Sequence, residues 1–349
     1  MEASKQNPRY TVYIISGSKK YNVTPAVTSL DRSESEGQIS QRVIVQLTNV
    51  KVDGVWLSDI LKPIDRLYIY ANDGSTEDEV FRGFLWGGNY KTAISTRKLK
   101  VTAYDHLIYL QQSEATYYFS PRKSTKDIVS YICKEWNIAL NYDYNEMTHP
   151  KMPLKGKLYE ILTADILDQV MRHTGDKYVV LSTKDTMHIK LYGTNTTIYQ
   201  FHNGKNVTST SAGWTMDGVV TQVAIVGKTG DNDYETSIET ITGDTKKYGT
   251  LQKVISCDDV TNLLWRARVE AKNIIAANDK PVWEGEINGP DIPWIRKGDK
   301  VYVNAGDFKG HYLYVKSVSR TSDMKNSKMT LELEDGAQTK EAPEPWKEM

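Results

Sequence analysis

A chain of 349 residues with 39% apolar and 25% charged side chains, at a mean hydropathy of -0.52, is long enough for two or three cores and too apolar to stay disordered. Lysine and arginine together number 44, as do aspartate and glutamate, so the formal net charge is zero and no global field draws the chain onto nucleic acid or anionic lipid. The amino-terminal MEASKQNPRY lacks the apolar stretch of a signal peptide, and no segment reaches the roughly 18 uncharged apolar residues of a membrane span, so synthesis in the cytoplasm without membrane insertion is expected.

The aromatic content is skewed, with 22 Tyr and 8 Trp against 5 Phe. Rings with a polar tip suit half-wet surfaces, such as interfaces and short-stranded β-domains. From Arg9 to about Ala115 the dominant period is two. Tyr10, Val12 and Ile14 share one face, Val43, Val45 and Leu47 a second, and Leu99, Val101 and Ala103 a third. LDRSESEGQ, NDGSTED and WGGN read as the turns between such strands, and the spacing predicts a small sandwich or barrel.

The pattern changes near Ser120. In SPRKSTKDIVSYICKEWNIAL, Ser124 and Asp127 resemble a capping box, and Ile128, Ile132 and Trp136 recur at helical spacing beside Cys133. A second helix is predicted in TADILDQVMRHTG, with Gly175 at the left-handed cap. KYVVL and MHIKLYG form a hairpin around STKD, which makes roughly 116 to 195 an α+β unit. After a polar stretch through NGKNVTSTSAG the two-residue period returns in VVTQVAIVG. A third helix is predicted over Asp258 to Asn278, where Val260, Leu264, Ala267, Ala271 and Ile274 make an amphipathic face. Strands resume through VWEGEING, WIRKGDKVYVNAGDFKGHYLYVKSVSR and KMTLELE, and a charged, Pro-containing tail is expected to be loose. No short tandem repeat is visible, and a diverged duplication of the β-domain is left open.

Sites of chemistry are few. Asp231, Asp233 and Glu235 superficially match a calcium loop but lack its glycine and distal glutamate. The six histidines include no zinc spacing, and His106 and His188 sit inside patterned segments as structural residues. Cys133 lies on the apolar side of its own helix and Cys257 just before a helix start, so neither is a poised nucleophile. Glu284 and Glu286 point to one face of a strand, with Asp291, Trp283 and Trp294 nearby, which gives a glycosidase-like alternative. Phosphate loops are absent, and Lys98 and Lys100 read as a solvated strand face. No catalytic, cofactor-binding or metal-binding residue is therefore assigned, and the chain is not expected to be an enzyme.

The segments LLWRARVEAKNIIAAND, VWEGEING, PWIRKGDKVYVNAGDFKGHYLYVKSVSR and KMTLELE, in that order between Leu263 and Glu334, resemble the baseplate hub proteins of contractile phage tails and related bacteriocins. The similarity extends to VWLSDILKPIDRLYIYAND, FRGFLWG and KVTAYDHLIYLQQSE, and is closest to the hub of PBSX-like defective prophages. It implies a mainly β protein with a first β-barrel domain over 1–115, an α+β domain over 116–195, a second β-barrel domain over 196–340 carrying the helix at about 258–278, and a loose tail over 341–349. It further implies a homotrimer whose six barrels make a pseudo-sixfold ring, joining a hexameric tail tube to a trimeric spike and helping to nucleate the baseplate within an assembled particle. The implied partners are the chain itself, tail tube protein, spike or needle protein and other baseplate proteins, with no specific nucleic-acid binding and no cofactor. A peptidoglycan-binding or hydrolysing tail protein is the alternative.

Overall fold

In a computed structural model, described here for residues 7–93, 96–143, 147–228, 234–257, 260–308 and 310–335, the alternating segments form strands. The first third holds β1 (Arg9–Ser16), β2 (Lys19–Asn22), β3 (Val27–Glu34), β4 (Arg42–Thr48), β5 (Lys51–Val52), β6 (Val55–Trp56), β7 (Arg66–Asn72), β8 (Glu77–Ala93) and β9 (Thr96–Tyr104). The middle holds β10 (Glu114–Phe119), β11 (Ala139–Asp143), β12 (Met152–Lys157), β13 (Tyr178–Thr183) and β14 (Thr186–Leu191). The last part holds β15 (Gln200–His202), β16 (Ser209–Thr215), β17 (Gln222–Gly227), β18 (Thr236–Thr242), β19 (Gln252–Ser256), β20 (Val282–Pro290), β21 (Lys300–Asn304), β22 (His311–Ser322) and β23 (Ser327–Asp335).

The protein is mainly β, and one sheet dominates it. Its order is β16-β20-β23-β22-β3-β4-β9-β8-β7-β1-β2, with β21 pairing both β22 and β15. Among the described residues, the first and last parts of the chain thus share a sheet through the single strand pair β3–β22, in which Val318, Arg320 and Ser322 stand opposite Glu34, Arg32 and Leu30. Among the described residues no strand pair closes either half into a barrel. The second half of β22 pairs with β3.

The duplication left open by the sequence is present in the topology. Strands β3, β4, β9, β8 and β7 follow one another in the same order as β16, β20, β23, β22 and β21. The registers match as well. Arg66 faces Phe84 as Lys300 faces Tyr314, and the β8–β9 ladder slips between Leu85 and Gly87 where β22–β23 slips between Val315 and Ser317. Each half encloses its own apolar cluster, one around Val12, Ile14, Val43, Val45 and Leu67, the other around Phe201, Ile287, Val301, Phe308 and Leu331.

Two further clusters lie outside the sheet. The helix Thr125–Glu135 begins with a complete capping box between Ser124 and Asp127, and its buried stripe includes Ile128, Ile132 and Cys133. The helical stretch Ile161–Thr174 starts as a π-turn run and ends on Gly175 at φ 82°, and β13–β14 is the expected hairpin. A separate three-stranded sheet, β18-β17-β19, packs under the helix Val260–Asn278 through Ala267, Ala271 and Ile274.

Two turn assignments are corrected, and part of the polar stretch is a strand. LDRSE lies within β3, WGGN within β8 and STSAG within β16. Polar and glycine residues suggested loops there, but β3 turns Arg32 inward onto Tyr10 and Glu34 inward onto Arg296, and β8 takes its glycines at a ladder irregularity.

Candidate functional site

The most elaborate polar arrangement lies where the two halves of the sheet meet. Strand alternation directs Arg32 and Glu34 of β3, and Arg320 of β22, to the buried face, each 3% exposed. Arg320 Nε donates to Asp291 Oδ1 at 2.9 Å, and its Nη2 donates to the carbonyls of Ile292 at 3.1 Å and Ile295. Tyr10 donates its hydroxyl to Asp291 and accepts from Arg32 Nη2 at 3.2 Å. Burial, reinforced by Asp291 and opposed by Arg32, raises the Tyr10 hydroxyl, which therefore stays protonated. Burial and the adjacent Arg32 lower the Arg320 guanidinium from its ordinary value, and Asp291 opposes this.

One turn further on, Glu34 accepts from Arg296 Nε at 2.5 Å and from the Lys297 backbone N–H at 3.0 Å. Burial works to raise the Glu34 carboxyl, but Arg296 and the Lys297 amide outweigh it and hold it below its usual range. Lys297 itself is 7% exposed and donates to the carbonyls of Ser35, at 3.2 Å, and Gln38. Asp105 is 2% exposed and accepts from the backbone of Gln41 at 2.8 Å and Leu107 at 2.9 Å. Burial outweighs those bonds and pushes its carboxyl up to about 7.

The α+β segment is pinned to the same junction. The turn between β13 and β14 runs through Lys184 and Asp185, both at positive φ, and sends Asp185 between Arg66, at 2.5 Å, and Arg82, at 3.4 Å. Lys184 meets Asp78 at 2.9 Å. Ser182 Oγ lies 3.0 Å from His106 Nδ1, while His106 Nε2 is buried without a partner. Burial drops the His106 ring to about 4, so the pair is a neutral structural contact and its imidazole is a poor base near neutral pH.

The residues of the glycosidase-like alternative are dispersed by this arrangement. Asp291 is consumed by Arg320 and Tyr10, and Trp294 Nε1 donates to Asp73 across the junction at 2.9 Å. Glu284 is exposed and reaches Lys316 at 3.4 Å, while Glu286 accepts from the Asn288 amide at 2.6 Å. Trp283 packs edge-on against Phe308, with ring centroids 5.0 Å apart. Asp231 and Asp233 lie outside the described residues, and Glu235 accepts from Ser256 at 3.2 Å. Among the described residues no three His, Cys, Asp or Glu side chains converge as metal ligands. Cys133 and Cys257 are both buried, and burial pushes the Cys133 thiol up to about 12. The tyrosines of the β21–β22 hairpin divide, with Tyr314 buried, Tyr302 half-buried and Tyr312 exposed. Sequence reasoning missed Arg32, Glu34, Arg296, Lys297 and Arg320 as one group. The available signal was charge at alternate, inward positions of a strand.

This arrangement fixes the two halves of the sheet and the α+β segment to one another. The fold matches the 43 kDa tail protein of prophage MuSo2 from Shewanella oneidensis, with TM-score 0.68 and 14% identity over 93% of this chain and 98% of that one. It matches the tail protein from Neisseria meningitidis MC58, with TM-score 0.66 and 13% identity over 94% and 97% of the two chains. It also matches the E. coli c3393 protein, a type VI secretion component described as similar to the bacteriophage T4 tail proteins gp27 and gp5, with TM-score 0.54 and 9% identity over 88% and 73%. No curated protein sequence matches the chain at a significant level. The expected likeness to phage tail proteins is met in the fold, and the YQBQ-like family matches residues 68–334, well over half of the 349. The chain belongs to the YQBQ-like family.

Proposed function

We propose that the protein is the structural baseplate hub of a contractile injection machine, either a phage tail or a tail-like bacteriocin. In this reading it is a homotrimer that joins a hexameric tail tube to a trimeric spike and helps to nucleate the baseplate. The observation that carries it is the repeated strand order, which gives each chain two equivalent β-units fused by one strand pair. Two such units per chain supply six per trimer, the number needed to meet a sixfold tube from a threefold axis. The units correspond to 1–115 and 196–340, with 116–195 outside the ring, and they complete their barrels in the assembly. The chain is made in the bacterial cytoplasm and acts within the particle, without enzymatic activity or specific nucleic-acid binding.

Solution mass tests the reading. A trimer, formed by the chain alone or on addition of tube and spike proteins, is expected; a stable dimer, or a monomer that stays so with both partners, overturns it.

A further inference from the structure

The two β-units use their equivalent strands differently. In the internal junction, Val318, Arg320 and Ser322 of β22 and Leu30, Arg32 and Glu34 of β3 are all buried. The matching strands are β8, through its second half, and β16. Leu85 and Gly87 correspond to Val315 and Ser317, so Gly88, Tyr90 and Thr92 correspond to Val318, Arg320 and Ser322. Val45 and Ile287 correspond through Val101 and Leu331, so their partners Leu30 and Thr210 do too, as do Arg32 and Ala212, and Glu34 and Trp214.

These counterparts are bare. Trp86 through Lys91 are all exposed, as are Ser211 through Trp214, whereas a strand inside a sheet alternates. Among the described residues, nothing pairs with Gly87–Ala93 on the side away from β9, and β16 pairs only β20. Trp214 is 74% exposed and Tyr90 50%. An unpaired edge with bare apolar rings is a template for another strand.

Charge says which strand. Lys91 stands directly opposite Lys98, and Glu286 directly opposite Glu332, each a like-charge cross-strand pair that is unfavourable by itself. Ser211 stands opposite Glu286.

We infer that β16 of one copy pairs antiparallel with the second half of β8 of a second copy, in the register of the internal junction. This rests on the self-assembly proposed above and names its contact. Trp214 then faces Gly88, over which the Tyr90 ring lies in the single chain and from which it must swing aside, Tyr90 faces Ala212, and Lys91 faces Ser211. Lys98, Lys91, Ser211, Glu286 and Glu332 fall in one row over successive strands, which sets the basic pair about 10 Å from the acidic pair at ordinary strand spacing. The contact is heterologous, so repeating it propagates around a ring.

Paired cysteines in the full chain test it. Under oxidation, Lys91→Cys with Ser211→Cys in one chain is expected to give covalent oligomers ending at the trimer on a non-reducing gel. Neither single variant links, because the contact never sets a residue against itself, and Cys133 and Cys257 are buried. Asn89→Cys with Ser211→Cys, two residues out of register, is too distant to bridge. Trp214→Lys, a change at an exposed position, is expected to weaken self-association at least about tenfold by sedimentation, with the unfolding midpoint unchanged. A trimer that forms without cross-linking of the in-register pair overturns this contact and leaves the hub reading intact. A chain that stays monomeric with tube and spike proteins present overturns both.

Discussion

Arg32 and Arg320 stand directly opposite each other across the one strand pair that joins the two β-units, each only 3% exposed. Two guanidinium groups side by side in a sheet interior are unfavourable unless their donors are satisfied. Asp291 satisfies Arg320, and Tyr10 bridges Asp291 to Arg32. The junction is therefore a coupled group, contributed by β1, β3, β22 and the segment after β20.

Removing the carboxylate that faces Arg320 should be severe. Asp291→Asn takes away the charge that Arg320 and Tyr10 share, and a loss of about 3–5 kcal/mol is expected by urea denaturation. Replacing Arg32, Asp291 and Arg320 together by apolar residues of similar size should cost less than the single change. A loss below about 1 kcal/mol for Asp291→Asn would show that the group is not coupled.

Asp105 gives the junction a pH signature. Its carboxyl ordinarily releases its proton near 3.8 but holds it to about 7 in the folded chain, because burial disfavours the charge. Between those values the folded state binds more protons than the unfolded one, so the contribution of Asp105 to stability is present below 3.8 and is lost as pH rises towards 7. Asp105→Asn removes this drift. The stability of the native chain relative to the variant should therefore fall from pH 4 to pH 7 and level off above. His106 drifts the other way, losing stability as pH falls from 6.5 towards 4, and cancels in the comparison. Parallel curves for the two chains would refute the assignment.

Gly285 tests how the two halves differ inside. Its counterpart by register is Val43, since Gly285 faces Leu333 as Val43 faces Ala103. A Cβ at Gly285 would fall against the Trp283 ring and 2.6 Å from Phe308 Cε1. Gly285→Val, which copies the first half, should lower stability by about 1–3 kcal/mol through overpacking, and should perturb Trp283 fluorescence. An unchanged unfolding midpoint would mean that the Phe308 cluster rearranges freely.

Much of the local structure was legible. The capping box at Ser124, the left-handed cap at Gly175, the hairpin of β13 and β14, and the stripe of Ala267, Ala271 and Ile274 follow from short-range rules of spacing and turn chemistry. What failed was the reading of polar strands. LDRSE and STSAG carry no apolar alternation, because Glu34 finds its partner Arg296 more than two hundred residues away in sequence and Arg32 finds Tyr10 on another strand, and among the described residues the exposed side of β16 has no partner.

By itself the sequence determined the mainly β character, the helices and the family resemblance, since these depend on periods of two and 3.6 and on the order of segments. Only the tertiary structure decided that the two β-units are repeats in matching register, that β3 and β22 join them, and that Arg32, Glu34, Arg296 and Arg320 belong to one buried group. Register and long-range ion pairing are set by which strand edges meet, and a chain's local pattern does not record that choice.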